Sequence, residues 1–263
     1  MYKPYLQRAG YTLQFFAGGL LKLSTPRYSK GMAQTITIAT LAIGHDFCKE
    51  LEPCLKSKEA YASRHGYTYR QGGAEFWNRE RPIPWSKVPF VLRLLSELPE
   101  GALVWLSDAD VLVTNPTLTL ETHVVPLLPD SKDLLMCIDA CGHLNSGNML
   151  MRNSPWLRDF WGRIGEQTDL VYHIWWENAA LIKLLELNPS DLARTEIISE
   201  HTRFNSYLQG LPGQPLWIPT HFLVHFAGVY DLKRMRGLVA AIQAGKIPRL
   251  SISDPNKIEY ISI

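Results

Sequence analysis

The sequence predicts an α/β fold in which a mostly parallel sheet is flanked by helices. Strand-like runs at residues 35–43, 67–70 and 102–106 alternate with segments of helical periodicity at 47–65 and 87–98. This order of strand, helix, strand, helix and strand is typical of a doubly wound sheet. Such sheets bind their ligands beyond the carboxyl ends of the strands, so polar residues at those ends are the first candidates for a site.

Turn and capping residues define the ends of these predicted elements. Gly66 follows the first helix and suits the left-handed conformation that commonly ends helices. Ser86 precedes the second helix and is predicted to cap it, because a serine hydroxyl can accept a hydrogen bond from the first turn. Pro89 falls within that turn, where proline is tolerated.

The second half of the chain contains two further predicted strands and three helices. They are predicted at residues 134–138, 148–152, 155–166, 177–187 and 232–244. A loop-rich region separates the last two helices and contains a short apolar segment at 222–226. We therefore predict that residues 32–263 form a single domain and that residues 1–31 form an N-terminal extension, an arm or a surface helix.

Composition favours a globular protein with a packed core. The 263 residues are 46% hydrophobic and 20% charged. A net charge of +2 offers no basic stripe of the kind that nucleic-acid binders carry, so we expect no nucleic-acid partner. No run approaches the roughly 20 apolar residues of a membrane span. We expect a cytoplasmic protein, with peripheral membrane association through the N-terminal segment as the alternative.

The cysteines do not form a recognisable zinc or disulfide pattern. Cys48, Cys54, Cys137 and Cys141 are spaced unlike zinc ligands. We expect free thiols in a reducing compartment, with a Cys48–Cys54 disulfide as the less favoured alternative.

Two carboxylates follow the most apolar strand. Asp108 and Asp110 come directly after the run at 102–106, and alternation along a strand directs their side chains the same way. Like charges held side by side repel each other unless a cation lies between them. Oxygen ligands at a sheet edge suit Mg²⁺ or Mn²⁺ that carries the phosphates of a substrate. The alternative is a solvated turn between strand and loop.

Six segments, taken in order, resemble glycosyltransferase family 34, which contains galactosyl, xylosyl and mannosyl transferases. They span roughly residues 36–233, and in one of them Asn178 replaces the family's usual glutamine. These segments are Tyr61-Ala62-Ser63-Arg64-His65-Gly66-Tyr67, Trp85-Ser86-Lys87-Val88-Pro89, Trp105-Leu106-Ser107-Asp108-Ala109-Asp110, Leu144-Asn145-Ser146-Gly147 with Arg152-Asn153-Ser154, Glu177-Asn178-Ala179-Ala180-Leu181 and Val224-His225-Phe226-Ala227-Gly228.

This resemblance implies a GT-A glycosyltransferase fold, which is Rossmann-like. It also implies retaining transfer of a hexose or pentose from a nucleotide-diphosphate sugar to a saccharide acceptor, with Mn²⁺ as cofactor and Mg²⁺ as the alternative. UDP-xylose, UDP-galactose and GDP-mannose all remain open as donors. The nucleotide-sugar half would lie at about 32–150 and the acceptor half at about 151–250.

The resemblance, together with the chemistry of the side chains, gives a set of candidate binding residues. Asp108, Asp110 and His225 are the predicted metal ligands, although His225 could instead be a buried histidine bonded to a main-chain carbonyl. The predicted donor-binding residues are Thr40, Lys87, Asp108, Asn145, Ser146, Gly147, Gly228 and Lys233. Thr40 is expected to touch the base or the ribose, and Gly147 to allow the backbone a close approach to the sugar.

The candidate catalytic residues are Glu177, Asn178 and Asp139. Glu177 could stabilise positive charge at the anomeric carbon during front-face transfer, or act as a nucleophile from the opposite face. Asp139 could bind hydroxyl groups of the donor sugar.

Aromatic and polar residues later in the chain are candidates for acceptor binding. Trp175 and Trp176 could form an acceptor platform or pack in the core. Arg203, Asn205 and Tyr207 could contact the acceptor or a closing loop. Two other functions compete with transfer: hydrolysis of a nucleotide sugar or glycoside, and binding of a sugar nucleotide without catalysis.

Overall fold

A computed structural model describes residues 35–251, 254 and 257–261 of the chain. The predictions made for residues 1–31 lie outside the described residues. The strands are β1 (Ile36–Leu41), β2 (Thr68–Gly72), β3 (Leu103–Ser107), β4 (Val111–Val113), β5 (Leu134–Ile138), β6 (Leu144–Arg152), β7 (Thr195–Ile198), β8 (Ser206–Tyr207), β9 (Leu223–His225), β10 (Ile247–Leu250) and β11 (Ile258–Ile261). The α-helices are α1 (His45–Glu50), α2 (Glu52–His65), α3 (Lys87–Glu97), α4 (Leu120–His123), α5 (Pro155–Gly165), α6 (Trp176–Leu187), α7 (Pro189–Ala193) and α8 (Leu232–Gln243).

The central sheet has the strand order β2-β1-β3-β6-β5-β7. β1 is parallel to β2 and to β3, and β5 is parallel to β7. β6 is antiparallel to both of its neighbours, so it begins at the edge where β3 ends. The predicted mostly parallel sheet flanked by helices is thus confirmed. The reversal at β6 matters for function because it brings the residues at the start of β6 beside those that follow β3.

Helices cover one face of the sheet, and a helix together with a second small sheet covers the other. On the first face, α3, α5 and α6 pack against β3, β5 and β6. On the second face, α2 and the sheet β4-β9-β8 enclose Trp105. The indole of Trp105 lies 5.3 Å from the ring of Phe222 and 6.0 Å from the rings of Tyr61 and Phe204.

The helix end predicted at Gly66 is confirmed, and the cap predicted at Ser86 is wrong. Gly66 ends α2 in the left-handed conformation, with φ 74°. Ser154 caps α5 by accepting a hydrogen bond from the main-chain N–H of Leu157, at 3.1 Å. Ser86, in contrast, makes no side-chain capping bond, because a 3₁₀ turn at Ile83–Ser86 leads directly into α3 and already gives Ser86 helical angles.

Other differences concern the boundaries of elements. The single helix predicted at 47–65 is two helices that meet at Leu51, with a proline at the start of the second. The strand predicted at 148–152 begins earlier, at Leu144, so Asn145 to Gly147 are part of a strand rather than a turn. Cys48, Cys54, Cys137 and Cys141 are all free thiols. Within the described part of the chain, no helix combines the length and the apolar character that crossing a membrane requires.

Candidate active site

A cleft of about 670 Å³ opens at the sheet edge where β1 and β3 end. Its walls include the turn after β5, the start of β6, the residues that lead into α3 and α6, and the segment after β9. The location agrees with the expectation that ligands of an open α/β sheet bind beyond the carboxyl ends of its strands.

Asp108, Asp110 and His225 converge on the floor of this cleft. Each offers one ligand atom, and these atoms all lie within 4.8 Å of one another. Strand register explains the convergence. Asp108 leaves β3 with its N–H bonded to the carbonyl of Gly147 at 2.7 Å, and β4 pairs with β9 so that Val111 lies opposite His225. His225 is thus close in space to Asp108 and Asp110, although it lies more than 100 residues away in the sequence.

The electrostatics of this group favour an ionised Asp110. Burial alone would raise the pKa of its carboxyl group, but the interaction with His225 and the charge of the Lys58 ammonium outweigh burial and lower it. His225 is 3% exposed, and its Nε2 lies 3.4 Å from Oδ1 of Asp110. Two carboxylates and one imidazole form a donor set that suits a divalent cation, with Mn²⁺ favoured over Mg²⁺ by the nitrogen ligand.

Lys87 joins Asp108 to Glu177. Its Nζ lies 2.8 Å from Oδ1 of Asp108 and 2.7 Å from Oε1 of Glu177, and only 9% of its side chain is exposed. Burial would lower the pKa of Lys87, but the charges of the two carboxylates outweigh it and raise the pKa above its ordinary value. For Glu177, burial is the larger influence and raises the pKa despite Lys87. One ammonium group therefore serves two carboxylates.

The backbone is strained immediately before Glu177. Among the described residues, Trp176 is the only residue other than glycine with a positive φ, at 43°. A left-handed conformation costs such a residue roughly 1–2 kcal/mol and persists only where the surrounding structure fixes it. Here it turns the chain from the cleft rim into α6, so that the side chain of Glu177 enters the cleft floor.

Several other predicted residues line the cleft. They are Asp139, Asn145, Ser146, Gly147, Asn178, Tyr207 and Gly228. Asp139 uses Oδ1 to accept hydrogen bonds from the N–H groups of Cys141 at 2.8 Å and His143 at 2.9 Å. Asn178 donates to the carbonyl of Leu144 at 3.1 Å, and its Oδ1 is buried without a partner among the described residues.

Aromatic residues stand at the rim of the same cleft. Trp175 is 40% exposed and its ring lies 4.9 Å from that of His143, whereas Trp176 is half-buried. Tyr230, in the segment after β9, is 84% exposed. Both Trp175 and Tyr230 line the cleft. The rim therefore carries flat apolar surfaces that remain open to solvent.

The structure places four predicted residues away from the cleft lining. Thr40 is fully buried and its hydroxyl donates to the carbonyl of Ser107 on the neighbouring strand, so its position gives no support to contact with a base or ribose. Lys233 is exposed on α8 and does not line the cleft. Arg203 lies in a 3₁₀ turn outside the cleft. Asn205 is fully buried directly behind His225.

Comparison with known proteins identifies similar sequences among glycosyltransferases. A model of the galactosyl transferase GMA12/MNN10 family matches residues 40–132. An "uncharacterized alpha-1,2-galactosyltransferase" of Schizosaccharomyces pombe is 26% identical over 143 residues, covering 41% of this chain and 38% of the relative. A "probable alpha-1,2-galactosyltransferase" of the same yeast is 23% identical over 249 residues, covering 75% of this chain and 67% of the relative. The resemblance to this family is confirmed.

A solved structure confirms the fold. The crystal structure of "a glycosyltransferase involved in the glycosylation of the major capsid of PBCV-1" superposes with a TM-score of 0.62. The two chains are 15% identical, and the match covers 78% of this chain and 98% of the other. The predicted GT-A fold is therefore present. The match to the first of the yeast relatives spans less than half of that relative's own length.

One buried residue that supports the two carboxylates, Lys58, was not predicted from the sequence. Lys58 is fully buried in α2 and donates hydrogen bonds to the main-chain carbonyls of Asp108 and Ala109. These bonds hold the turn that carries both carboxylates. Burial lowers the pKa of Lys58 from 10.5 to about 8, although Cys54, Asp110 and Asp108 oppose the change. In the sequence Lys58 resembles a solvated helix lysine, and only the position of α2 against β4 reveals its role.

The environment of Gly147 also differs from the expectation. An added Cβ at this position would lie 2.2 Å from Cε1 of His225 and 2.9 Å from its Nδ1. What requires glycine here is therefore the close approach of an imidazole ring. The predicted approach of the donor sugar to Gly147 stays a prediction, and the close neighbour seen in the structure is the His225 side chain.

The lowered pKa of Lys58 predicts a specific pH dependence of stability. Below pH 8 the ammonium is protonated in both states, and its burial cost is present in full. Between about pH 8 and pH 10.5 the folded protein has released this proton and the unfolded chain has not, so the free energy of unfolding rises with pH. Relative to a Lys58→Met variant, the wild type should gain about 3 kcal/mol across this range, measured by urea denaturation in EDTA.

Lys56→Met provides the matched control, because Lys56 lies on the same helix with 69% of its side chain exposed. Its stability should follow that of the wild type across the range. Parallel pH profiles for the wild type and Lys58→Met would show that Lys58 does not titrate as described.

Gly147→Ala is expected to weaken divalent-cation binding, because the new methyl group must displace the His225 ring. Loss of an oriented metal ligand should reduce Mn²⁺ affinity by about 10-fold or more, as measured by electron paramagnetic resonance of free Mn²⁺. Gly162→Ala is the control, since a Cβ on this residue of α5 meets nothing within 4 Å. It should leave Mn²⁺ affinity unchanged and stabilise the fold by about 0.5–1 kcal/mol. Equal Mn²⁺ affinity in both variants would contradict this account of Gly147.

Proposed function

We propose that this protein is a metal-dependent, retaining glycosyltransferase that moves a sugar from a nucleotide-diphosphate donor to a saccharide acceptor. The observation that supports it most strongly is the meeting of Asp108, Asp110 and His225 beside the Lys87–Glu177 pair in a single cleft. The galactosyltransferase names of its yeast relatives point the same way. UDP-xylose, UDP-galactose and GDP-mannose remain the candidate donors.

Asp108, Asp110 and His225 would hold the divalent ion, preferentially Mn²⁺. When bound, this ion would neutralise the negative charge that develops on the leaving diphosphate. Lys87 lies next to Asp108 and is positioned to add a positive charge for the same phosphates. The start of β6, with Asn145, Ser146 and Gly147, would contribute polar groups on the donor side of the cleft.

Glu177 would act on the donor sugar. In front-face transfer its carboxylate stabilises the positive charge that forms at the anomeric carbon, while the acceptor hydroxyl enters on the side the diphosphate leaves. As a nucleophile it would instead form a covalent intermediate from the opposite face. The Lys87 ammonium supports the ionised form of Glu177 in both routes. Asn178 and Asp139, which line the cleft, would bind sugar hydroxyls.

The acceptor would lie against the exposed rim. Trp175 and Tyr230 present open aromatic surfaces at the mouth of the cleft, and flat rings of this kind pack against the apolar faces of sugars. Trp176 is half-buried and strained, so its role would be to shape the backbone before Glu177.

Thermal denaturation with nucleotides and nucleotide sugars, with and without Mn²⁺, tests the proposal directly. A true donor should stabilise the wild type by about 3 kcal/mol at a hundredfold excess over its Kd, and only when Mn²⁺ is present. Asp110→Ala should abolish this stabilisation because it removes a metal ligand. Asp159→Ala, which alters an exposed carboxylate on α5, should retain it. Donor binding that persists in EDTA would refute the metal dependence.

Glu177→Gln should lower kcat by about 100-fold or more, because the amide is nearly isosteric but cannot supply negative charge at the anomeric carbon. The KM for the donor should change little. Glu186→Gln, at an exposed position on the same helix, is the matched control and should turn over normally. Normal turnover by Glu177→Gln would remove Glu177 from the mechanism. Donor cleavage at the same rate with and without any acceptor would indicate a hydrolase instead.

A further inference from the structure

A chain of buried hydrogen bonds leads from the core of the protein to His225. The indole N–H of Trp105 donates to Oδ1 of Asn148 at 3.0 Å, and Nδ2 of Asn148 donates to Oδ1 of Asn205 at 2.9 Å. Oδ1 of Asn205 also lies 2.9 Å from Nδ1 of His225. All four side chains are at most 3% exposed, so water has little access to these polar groups.

The direction of every bond in this chain follows from Trp105. An indole N–H can only donate, so the atom of Asn148 that faces it must be the amide oxygen. The amide nitrogen of Asn148 then faces Asn205, which must present its own oxygen as acceptor. That oxygen can only accept from His225 as well, and Nδ1 of His225 must therefore carry a proton.

The opposite tautomer is disfavoured for the same reason. If the single proton of neutral His225 were on Nε2, the lone pair of Nδ1 would face the lone pairs of the Asn205 oxygen in a buried site. A buried polar atom left without its hydrogen bond is costly, so this arrangement is selected against. With the proton on Nδ1, the lone pair of Nε2 is free on the side of Asp110, which lies 3.4 Å away.

The NH₂ group of the Asn205 side chain connects the amide that faces His225 to the strand segment against which the imidazole ring packs. Nδ2 of Asn205 donates to Oδ1 of Asn145 at 3.0 Å, and this oxygen also accepts the N–H of Gly147 at 2.9 Å. Gly147 is the residue against which the imidazole packs without room for a Cβ. The same short segment of β6 therefore fixes the ring of His225 and the amide that orients its proton.

We propose that Asn205 is a positioning residue of the metal site, which holds the proton of His225 on Nδ1 and keeps Nε2 available as a metal ligand. This inference rests on the proposed function in so far as it assigns a metal to His225. The position of the proton on His225 can be tested without any metal and does not depend on the proposed function. Metal-binding imidazoles commonly donate from their second nitrogen to such a partner, and removal of the partner typically weakens metal affinity by about 10–100-fold.

The first test needs no variant. Nitrogen NMR of the entire 263-residue chain labelled with ¹⁵N-histidine, in EDTA and at a pH where His225 is neutral, distinguishes a protonated ring nitrogen from an unprotonated one. Its signals can be assigned by their loss in His225→Gln. We expect protonated Nδ1 and unprotonated Nε2 in the wild type. Protonation at Nε2 would overturn the proposal.

The second test separates positioning from a merely structural role. Asn205→Leu removes the acceptor and should weaken Mn²⁺ affinity by about 10–100-fold, with loss of the single tautomer. Asn205→Asp keeps an acceptor oxygen next to Nδ1 and should keep the tautomer. Asn153→Leu is the control. Asn153 is equally buried and donates to main-chain carbonyls, including that of Leu95 at 3.0 Å, so its loss should lower Tm without changing the tautomer or Mn²⁺ affinity.

The outcomes distinguish the two proposals. If the wild type binds Mn²⁺ and Asn205→Leu binds it equally well with an unchanged tautomer, Asn205 has no positioning role, and the proposed function stands. If the wild type has protonated Nδ1 but does not bind Mn²⁺, the proposed function fails, and with it the metal-directed role of Asn205. The proposal is supported if Asn205→Leu has reduced Mn²⁺ affinity and a changed tautomer. Asn205→Asp should then retain the tautomer of the wild type.

Discussion

The cleft depends on a balance between buried charges of opposite sign. Three carboxylates meet there, and each would be destabilised by burial and by the other two in a medium of low dielectric constant. Two lysines lie among them and offset these charges: Lys58 beneath the turn that carries Asp108 and Asp110, and Lys87 between Asp108 and Glu177. His225 lies beside Asp110. The two ammonium groups therefore reduce the electrostatic cost of holding the carboxylates close together.

These basic groups do different work because they lie at different depths. Lys58 reaches main-chain carbonyls and so supports the backbone of the turn rather than the carboxylate side chains. Lys87 reaches the side chains of Asp108 and Glu177 directly and links the predicted metal site to the predicted sugar site. Asp108 and Asp110 could hold a divalent ion, which would add positive charge near Lys87. The pairing of Lys87 would then shift towards Glu177 or towards a phosphate of the donor.

The sequence was most informative where one element ends in residues with unusual chemistry. Asp108 and Asp110 could be predicted as a pair because they follow an apolar strand, and the family-like segment around His225 supplied the third member. The positions of Thr40 and Gly147 could not be predicted in the same way. A strand-end hydroxyl such as that of Thr40 can face a ligand or a neighbouring strand, and only the pairing of β1 with β3 decides between them. Gly147 has His225 as its neighbour because of the β4–β9 register, which no local pattern encodes.

Short elements were also beyond prediction. β4, β8 and β9 have two or three residues each, and their pairing depends on contacts far apart in the sequence. The burial of Lys58 could not be predicted either, because a lysine on a helix is usually solvated. It is buried because α2 packs across β4, whose preceding turn supplies carbonyl acceptors. Thus five strands of the central sheet follow from local patterns and its edge strand β7 does not, whereas the details that complete the site follow from long-range pairing.

The neutral amide behind His225 is consistent with this charge balance. Metal-bound histidines are often oriented by a carboxylate, which raises the basicity of the imidazole. A carboxylate in place of Asn205 would add a further negative charge behind Asp108, Asp110 and Glu177, and it would face the oxygen of Asn145 as a second acceptor. An amide avoids both costs, because it accepts from Nδ1 of His225 and donates to Asn145 without bringing any net charge. A carboxylate could only accept a hydrogen bond, so it would fix the direction of the bond to His225 by itself. With an amide, Trp105 fixes that direction instead, because its N–H in the hydrophobic core can only donate to Asn148.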